Sequence, residues 1–451
     1  MKDLLLARTS TPHPATRNAL PDSPLTRRSV LHLLAAAATS TALPAHTQAT
    51  RRLTSADDAF LDDMERRAAL FFWEQADPSN GQVLDRAYAD NSTGKLSSRN
   101  SLSSIAATGF GLSTLCIADH RGYLPHDAVV QRVRTTLDFH LNKLPHSHGF
   151  FWHFNHIHTG QPASNTEISS IDSSILLCGI LTARAYFRDP QITDLATKLY
   201  ERVEWPWMLN GGDTFSMGLH DGNFLPGRWN HYSELMMIYL LAIGSPTHPV
   251  SPTLWDNFTR PRMTFKTFEY ISAVDPLFIH QYSHAWYDFR SKRDRYADYF
   301  ANSITATRAH KAFCLDLKIG YNEDYWGITA SDSEHGYLPW GGPPALGHID
   351  GTVVPCATGG SLPFLPTDCL RVLRSLRTLG DRVYQRYGFR DAVHPAGNWY
   401  NPDVLGINLG ITALMAENLR TGFIWSNFMR NPEAARAMQL AGFRNLARTP
   451  R

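Results

Sequence analysis

N-T-E-I-S-S-I-D-S-S-I-L-L-C-G-I-L, residues 165–181, sets two carboxylates, Glu167 and Asp172, in a segment that is otherwise mostly apolar or small. At about 100° per residue, Ile168, Ile171, Ile175 and Gly179 share one helical face, with Asp172 beside them rather than opposite, so the pattern predicts a buried Asp172. Asn165 or Thr166 is the expected cap, which leaves Glu167 in the first turn. From Ile175 onward apolar side chains point in nearly every direction, the mark of a helix enclosed on all sides. A carboxylate at the mouth of such a helix is unusual enough to ask what the rest of the chain builds around it.

The chain has 451 residues, 43% hydrophobic and 11% aromatic, ample for a large core and incompatible with disorder. Helical patterns recur along it, at 56–75, 101–120, 126–144, 167–187, 190–203, 231–243, 253–272, 291–317, 366–387, 407–421 and 432–441, with long Gly-, Pro- and Trp-rich connections. Very apolar members alternate with amphipathic ones. No linker divides the chain and no fixed period repeats. About a dozen helices in such pairs predict an all-α fold, a single-domain (α/α)6 barrel over residues 50–451, whose inner helices converge on a central bowl rimmed by the loops.

Residues 1–49 read differently. T-R-R-S-V-L (residues 26–31) opens an Ala- and Leu-rich run to about Leu43, with small residues at Thr47-Gln48-Ala49, the pattern of a twin-arginine export signal. The run is shorter than the roughly 20 apolar residues of a membrane span and Pro44 ends it. Cleavage near Thr50 removes a net +3, turning the formal +2 into about −1, and the product is expected in the periplasm or outside the cell, as a monomer without a membrane span. That charge does not suggest a nucleic-acid partner. The five cysteines contain no C-x-x-C, and Cys356 with Cys369 is the one pair whose oxidation is worth testing.

Four further segments carry unusual groups. R-W-N-H-Y-S-E-L-M-M (228–237) sets Glu234 in the first turns of an apolar helix beside Trp229, His231 and Tyr232. F-I-H-Q-Y-S-H-A-W-Y-D-F-R (278–290) is read as a loop offering Gln281, His284 and Trp286. Y-W-G-I-T-A-S-D-S-E-H-G-Y (325–337) adds Trp326 and Asp332, and A-E-N-L-R-T-G (416–422) adds Glu417. Carboxylates among Trp, Tyr and His, without a basic cluster, suit a sugar, whose ring faces stack on aromatics and whose hydroxyls bond to carboxylates and amides. Cleaving a glycosidic bond takes one protonated carboxyl and one ionised one. Glu234, under Trp229 and Tyr232, is the expected acid. Glu167, among hydroxyl and amide groups, is the expected base, with Asp332 as the other choice; Asp172 reads as a structural carboxylate able to tune a neighbour.

Seven ordered motifs carry a resemblance. They are F-F-W-E-Q-A-D-P-S-N-G-Q-V-L-D-R-A (71–87), A-A-T-G-F-G-L-S-T-L-C-I-A (106–118), E-I-S-S-I-D-S-S-I-L-L-C-G (167–179), W-N-H-Y-S-E-L-M-M-I-Y-L-L-A-I-G-S-P-T-H-P (229–249), W-G-I-T-A-S-D (326–332), G-T-V-V-P-C-A-T-G-G-S-L-P-F-L-P (351–366) and E-N-L-R-T-G-F-I-W (417–425). Together they resemble the bacterial glucoamylase-like domain family, which includes the endo-β-1,2-glucanases of glycoside hydrolase family 144. The resemblance implies the (α/α)6 barrel, an inverting β-glucan hydrolase, functional carboxylates at Glu167 and Glu234, and sugar subsites on the aromatic and His-bearing loops. Two positions depart from it: residues 163–166 read A-S-N-T where an acidic residue is associated with the glucanases, and residues 407–410 read I-N-L-G where I-D-Q-G is common.

The run H-S-H-G-F-F-W-H-F-N-H-I-H (146–158) invites a metal reading, but no two of its histidines stand at i, i+4, and Trp152 and His153 within it suit a sugar platform. No metal or cofactor is expected. Gly109-Phe110-Gly111 lacks the third glycine of a dinucleotide fingerprint, and no G-x-S-x-G elbow occurs. An exported glycoside hydrolase is therefore expected, and the resemblance implies that its substrate is β-glucan and that it is an endo-β-1,2-glucanase; a transglycosylase in the same bowl and a carbohydrate-binding protein with a degenerate site are the alternatives.

Overall fold

In a computed structural model, the structure describes residues 53–92, 101–273 and 276–446. The expected export signal lies outside them. Among the described residues fourteen α-helices run in chain order: α1 (Ser55–Glu74), α2 (Ile105–His120), α3 (His126–Asn142), α4 (Ser170–Phe187), α5 (Pro190–Glu201), α6 (Trp205–Met208), α7 (Met236–Gly244), α8 (Tyr282–Trp286), α9 (Tyr299–Leu317), α10 (Pro355–Gly359), α11 (Pro366–Arg377), α12 (Gly406–Arg420), α13 (Phe423–Phe428) and α14 (Pro432–Leu440). The strands between them are two to four residues long and pair in twos and threes, some across long stretches of chain.

Six helices make the inner ring, and named contacts close it. α2 packs along α4 and α12, and α4 meets α7. The Ser283 hydroxyl, on α8, donates to the Glu234 carbonyl at 2.6 Å and accepts from Met237 N at 3.1 Å, tying α8 to the start of α7. Gln281 Nε2 donates to Ala357 O at 2.9 Å, joining α8 to α10, and α10 packs on α12. Outside, α1 covers α2 and α12, α3 and α5 cover each other and α4, α14 backs α7, and α11 backs α10. This is the (α/α)6 arrangement expected from the pattern.

Burial explains which helix went where. Every residue of α2 from Ile105 to Ala118 is buried, as is all of α7, so neither has a polar face. α5 instead buries Ile192, Leu195, Ala196, Leu199 and Tyr200, the i, i+3, i+4 stripe of a helix with one wet side. α2 and α4 approach most closely at two glycines: a Cβ on Gly109 would fall against the Ile175 backbone carbonyl, and one on Gly179 against the carbonyl of Gly109.

The inner helices begin at one rim, where strands feed straight into them. Residues 102–104 pair with 154–156 and lead into α2, capped by Ser104; Ile168–Ser169 pair with 218–219 and lead into α4, capped by Ser169; 403–405 pair with 86–88 and lead into α12. Sequence reading of the rim needs correction here. Glu167 precedes the strand instead of sitting in the first turn of α4, and Ser169, not Asn165 or Thr166, is the cap. Asp172 occupies that first turn and is partly buried, its side chain 14% exposed. Glu234 sits in a turn before α7, not within it.

The expected helix at 253–272 is instead a 3-10 turn (Pro252–Asp256) and a hairpin of Arg262–Phe265 with Phe268–Ile271. Met263 and Phe265, like Phe268 and Tyr270, alternate at period two, and Lys266 takes φ +53° in the turn, which no helix allows. Residues 278–290, read as a loop, hold α8. All five cysteines are buried thiols, Cys356 and Cys369 included. No helix among the described residues is long and apolar enough to cross a membrane.

Candidate active site

The start of α4 organises the first group. Ser169 Oγ accepts from Asp172 N at 3.2 Å and donates to Asp172 Oδ2 at 2.5 Å, so the cap fixes the carboxylate as well as the helix. His153 lies across it. Its main chain is held from both sides, N–H to the Glu167 carbonyl at 2.9 Å and carbonyl to Ile105 N at 3.2 Å. The imidazole bridges two acids: Nδ1 is 3.1 Å from Glu167 Oε1 and Nε2 is 3.6 Å from Asp172 Oδ1. Phe154 stacks on the ring at 3.8 Å between centroids. Burial opposes a charge on His153, yet Asp172, Glu167 and Asp85 outweigh it and push the pKa up to about 9. At neutral pH the ring is an imidazolium.

Glu234 comes from the turn that leads into the next inner helix, α7. It is 7% exposed. The turn that carries it is pinned by Trp229, whose Nε1 donates to Ser170 Oγ at 2.8 Å and whose carbonyl accepts from Tyr239 at 2.7 Å, while Tyr232 stacks on Tyr299 behind. Burial raises the Glu234 pKa to about 7, and the charge of Asp172 adds to it against the hydrogen bonds that lower it. A protonated carboxyl therefore lies within the electrostatic reach of an aspartate that the N-terminus of α4, a hydroxyl and an imidazolium all address.

A second carboxylate group lies across the rim. Arg86 Nη1 holds Asp332 at 2.8 and 3.1 Å and its Nε holds Asp85 at 3.1 Å; Asn401 Nδ2 donates to Asp332 Oδ2 at 2.8 Å. Asp391 lies beneath, accepting from Asp332 N at 2.8 Å and from Asn408 Nδ2 at 2.6 Å. Burial, then the Asp332 charge, lifts Asp391 to about 7. Tyr337 and Tyr282 connect the groups: the Tyr337 hydroxyl is driven up by burial and by Asp391, Asp85 and Asp332, and that of Tyr282 by burial, Cys356, Tyr337, Glu234 and Asp172. The cavity behind Asp391 and Asn408, about 30 Å³, is too small for a sugar.

Asp85, Arg86, Tyr282, Tyr337 and Asp391 escaped the sequence reading. Asp85 and Arg86 lay inside a quoted motif, but nothing in the spacing joins them to Asp332, and Asp391 is a lone aspartate in a loop. Of the expected residues, the structure brings Glu167, Glu234, Asp332, His153 and Trp152 to the rim, with Trp152 partly buried and paired through its backbone with Ile168. Trp229 and Tyr232 lie buried under it, and His231 is exposed beside Thr259 at 2.6 Å.

Others are corrected. Gln281, His284, Trp286 and Trp326 are 0–1% exposed and pack inside the ring, where Gln281 joins two helices and Trp286 Nε1 bonds to Ser113 at 2.9 Å. Glu417 sits near the opposite end of α12 from Asn408, fully buried between Arg121 (2.7 Å) and Arg420. Nine residues at about 1.5 Å each separate it from the rim.

Ligand-type atoms of His153, Glu167 and Asp172 also lie within 4.8 Å of one another. A metal ligand must be a neutral imidazole with one nitrogen on the ion, whereas here each nitrogen faces its own carboxylate. The set fits a clamped imidazolium.

Residues 226–432, from the turn bearing Glu234 to the start of α14, match the glycoamylase family model, described as a glucoamylase. Over those residues the chain is similar to a glucoamylase-like domain. Similar proteins share its length unevenly. An exo β-1,2-glucooligosaccharide sophorohydrolase (non-reducing end) of Parabacteroides distasonis is 28% identical over 428 residues, 85% of this chain; the chain spans 58% of that relative's length. Among solved structures, an endo-β-1,2-glucanase from Chitinophaga pinensis, in complex with sophorotriose and glucose, superposes with a TM-score of 0.77 at 25% identity, covering 87% of this chain and 99% of that one. A β-1,2-glucanase from Parabacteroides distasonis superposes with a TM-score of 0.77 at 26% identity, over 86% of this chain and 60% of that one.

Proposed function

We propose that the protein is a glycoside hydrolase acting on β-1,2-linked glucan or its oligosaccharides. The observation that carries this reading is Glu234, a buried carboxyl at the rim of an (α/α)6 ring, held protonated to about pH 7 by its burial and by the charge of Asp172. The relatives' activities favour the β-1,2 linkage. In the reaction the Glu234 proton passes to the glycosidic oxygen as the bond to the anomeric carbon breaks, and an ionised carboxylate takes a proton from the water that attacks that carbon. The water approaches from the opposite face, so the product is the inverted anomer.

The test is release of reducing ends from linear β-1,2-glucan, with chain-length analysis of the products. Disaccharide alone, released early, identifies an exo enzyme like the sophorohydrolase relative; a spread of lengths identifies an endo enzyme. Redistribution of lengths without new reducing ends identifies a transglycosylase, and binding without either overturns catalysis. The early product anomer, read by proton NMR, checks inversion. Export through the twin-arginine signal is part of the same proposal; retention in the cytoplasm, unaffected by changing Arg27 and Arg28 to Lys, would refute it.

A further inference from the structure

We infer that Asp172 is the carboxylate that activates water, and that His153 and Glu167 are positioning residues that hold it in the relay Glu167–His153–Asp172. This rests on the hydrolytic reading above and changes which residue does the work: Glu167, the carboxylate the sequence brings forward, acts through the imidazole.

Three observations converge on Asp172. First, among the charges acting on Glu234, it is the one that raises the acid's pKa, so it is the ionised partner the acid feels. Second, the competing carboxylates are committed. Asp332 has both oxygens on Arg86 Nη1 and Oδ2 also on Asn401, which leaves it the counter-ion of a guanidinium. Glu167 has Oε1 on His153 Nδ1. Third, the grip on Asp172 is orienting rather than saturating. Oδ2 is fixed by Ser169 at 2.5 Å, but Oδ1 stands 3.6 Å from His153 Nε2, beyond hydrogen-bond length, which leaves it a direction for water.

His153 is the piece that makes this a device. Its ring plane is locked by Phe154, its backbone is tied to Glu167 and to the start of α2, and Glu167 on Nδ1 turns Nε2–H toward Asp172. The charged groups facing the imidazole are Glu167, Asp172 and Asp85, the last shared with Arg86; those facing Asp172 are His153 and Glu234. When Asp172 accepts the proton of water, the oxygen bonds to the anomeric carbon, the glycosidic bond breaks, and Glu234 gives its proton to the leaving oxygen. Both carboxyls have then exchanged protonation state and no other reactant is needed. The imidazolium beside Asp172 keeps its own proton throughout, as an orienting group does.

The test compares Asp172→Asn and Glu167→Gln in the full chain. Asp172→Asn is expected to lower kcat on β-1,2-glucan by about two to four orders of magnitude and to gain nothing from an aryl leaving group, which needs no acid. Glu234→Gln, by contrast, recovers on that substrate. Glu167→Gln is expected to keep measurable turnover, with the alkaline limb of its profile still set by Glu234, while the titration of His153 itself moves acidward because the imidazole loses one of its carboxylates. The nitrogen-15 shifts of His153 follow the same titration without substrate: its midpoint should fall from about 9 in both variants. Turnover of Asp172→Asn near the parent rate, or an unmoved His153 midpoint in Glu167→Gln, overturns the relay. If the parent releases no sugar at all, the hydrolytic reading fails, and the His153 midpoint still decides whether the clamp exists.

Discussion

Replacing Glu234 by Gln should make the protein more stable as well as inactive, and the size of the gain follows from its burial. The folded protein holds this carboxyl at about 7 against an ordinary value of 4.5. Between those pH values the native state binds a proton that the unfolded chain does not, so the stability present below the unfolded pKa is lost as pH rises through the folded one. At 1.36 kcal/mol per unit, the loss is about 3 kcal/mol above pH 8. Gln has the same shape and never ionises. Parent and Glu234→Gln should therefore melt together near pH 4 and separate above pH 5, the variant leading by on the order of 4 °C at pH 8 for a domain of this size. Differencing the two proteins removes the matching contribution of Asp391. Activity runs the other way: the acid must be protonated to work, so parent kcat/KM should fall above about pH 7, and the variant should lose about two to four orders of magnitude on glucan. Thermal melts from pH 4 to 8 provide the assay. A difference between parent and variant that does not change with pH would mean Glu234 is not the buried proton carrier, and its role as acid would fall with it.

Two other perturbations separate framework from site. Gly179→Ala drives a methyl into the Gly109 carbonyl where α2 and α4 cross, and should cost about 1–3 kcal/mol in a urea titration while leaving the denaturant slope unchanged. Glu417→Ala strips the shared partner from Arg121 and Arg420 near the far end of α12, and should destabilise by about 3–5 kcal/mol. The KM of its folded fraction should match the parent; a raised KM would return Glu417 to the substrate site.

What the sequence by itself determined is the ring. Helices such as α2, α4 and α7 are apolar all round, and a helix with no wet face must be enclosed; paired with amphipathic partners such as α5, they leave few arrangements besides two concentric layers. Glu234 was legible for the same reason, since a lone carboxylate under Trp229 and ahead of M-M-I-Y-L-L has nowhere to be but at the edge of a buried helix. The error at 253–272 was one of period, because Phe265 and Phe268 stand at the helical i, i+3 spacing while Met263 with Phe265 and Phe268 with Tyr270 alternate at period two. Tertiary structure alone decided the site's wiring. Asp332 meets Arg86 across 246 residues, and Asp391 meets Asn408 only because the loop from α11 folds under the rim. Glu417 and Asn408 share one helix, yet one faces the rim and the other lies buried near the floor. Local pattern reports how a side chain is placed around its own axis, by the energy of burying one face. It carries no information on which end of that axis the other helices turn toward a common opening, and that is set by packing between residues hundreds of positions apart.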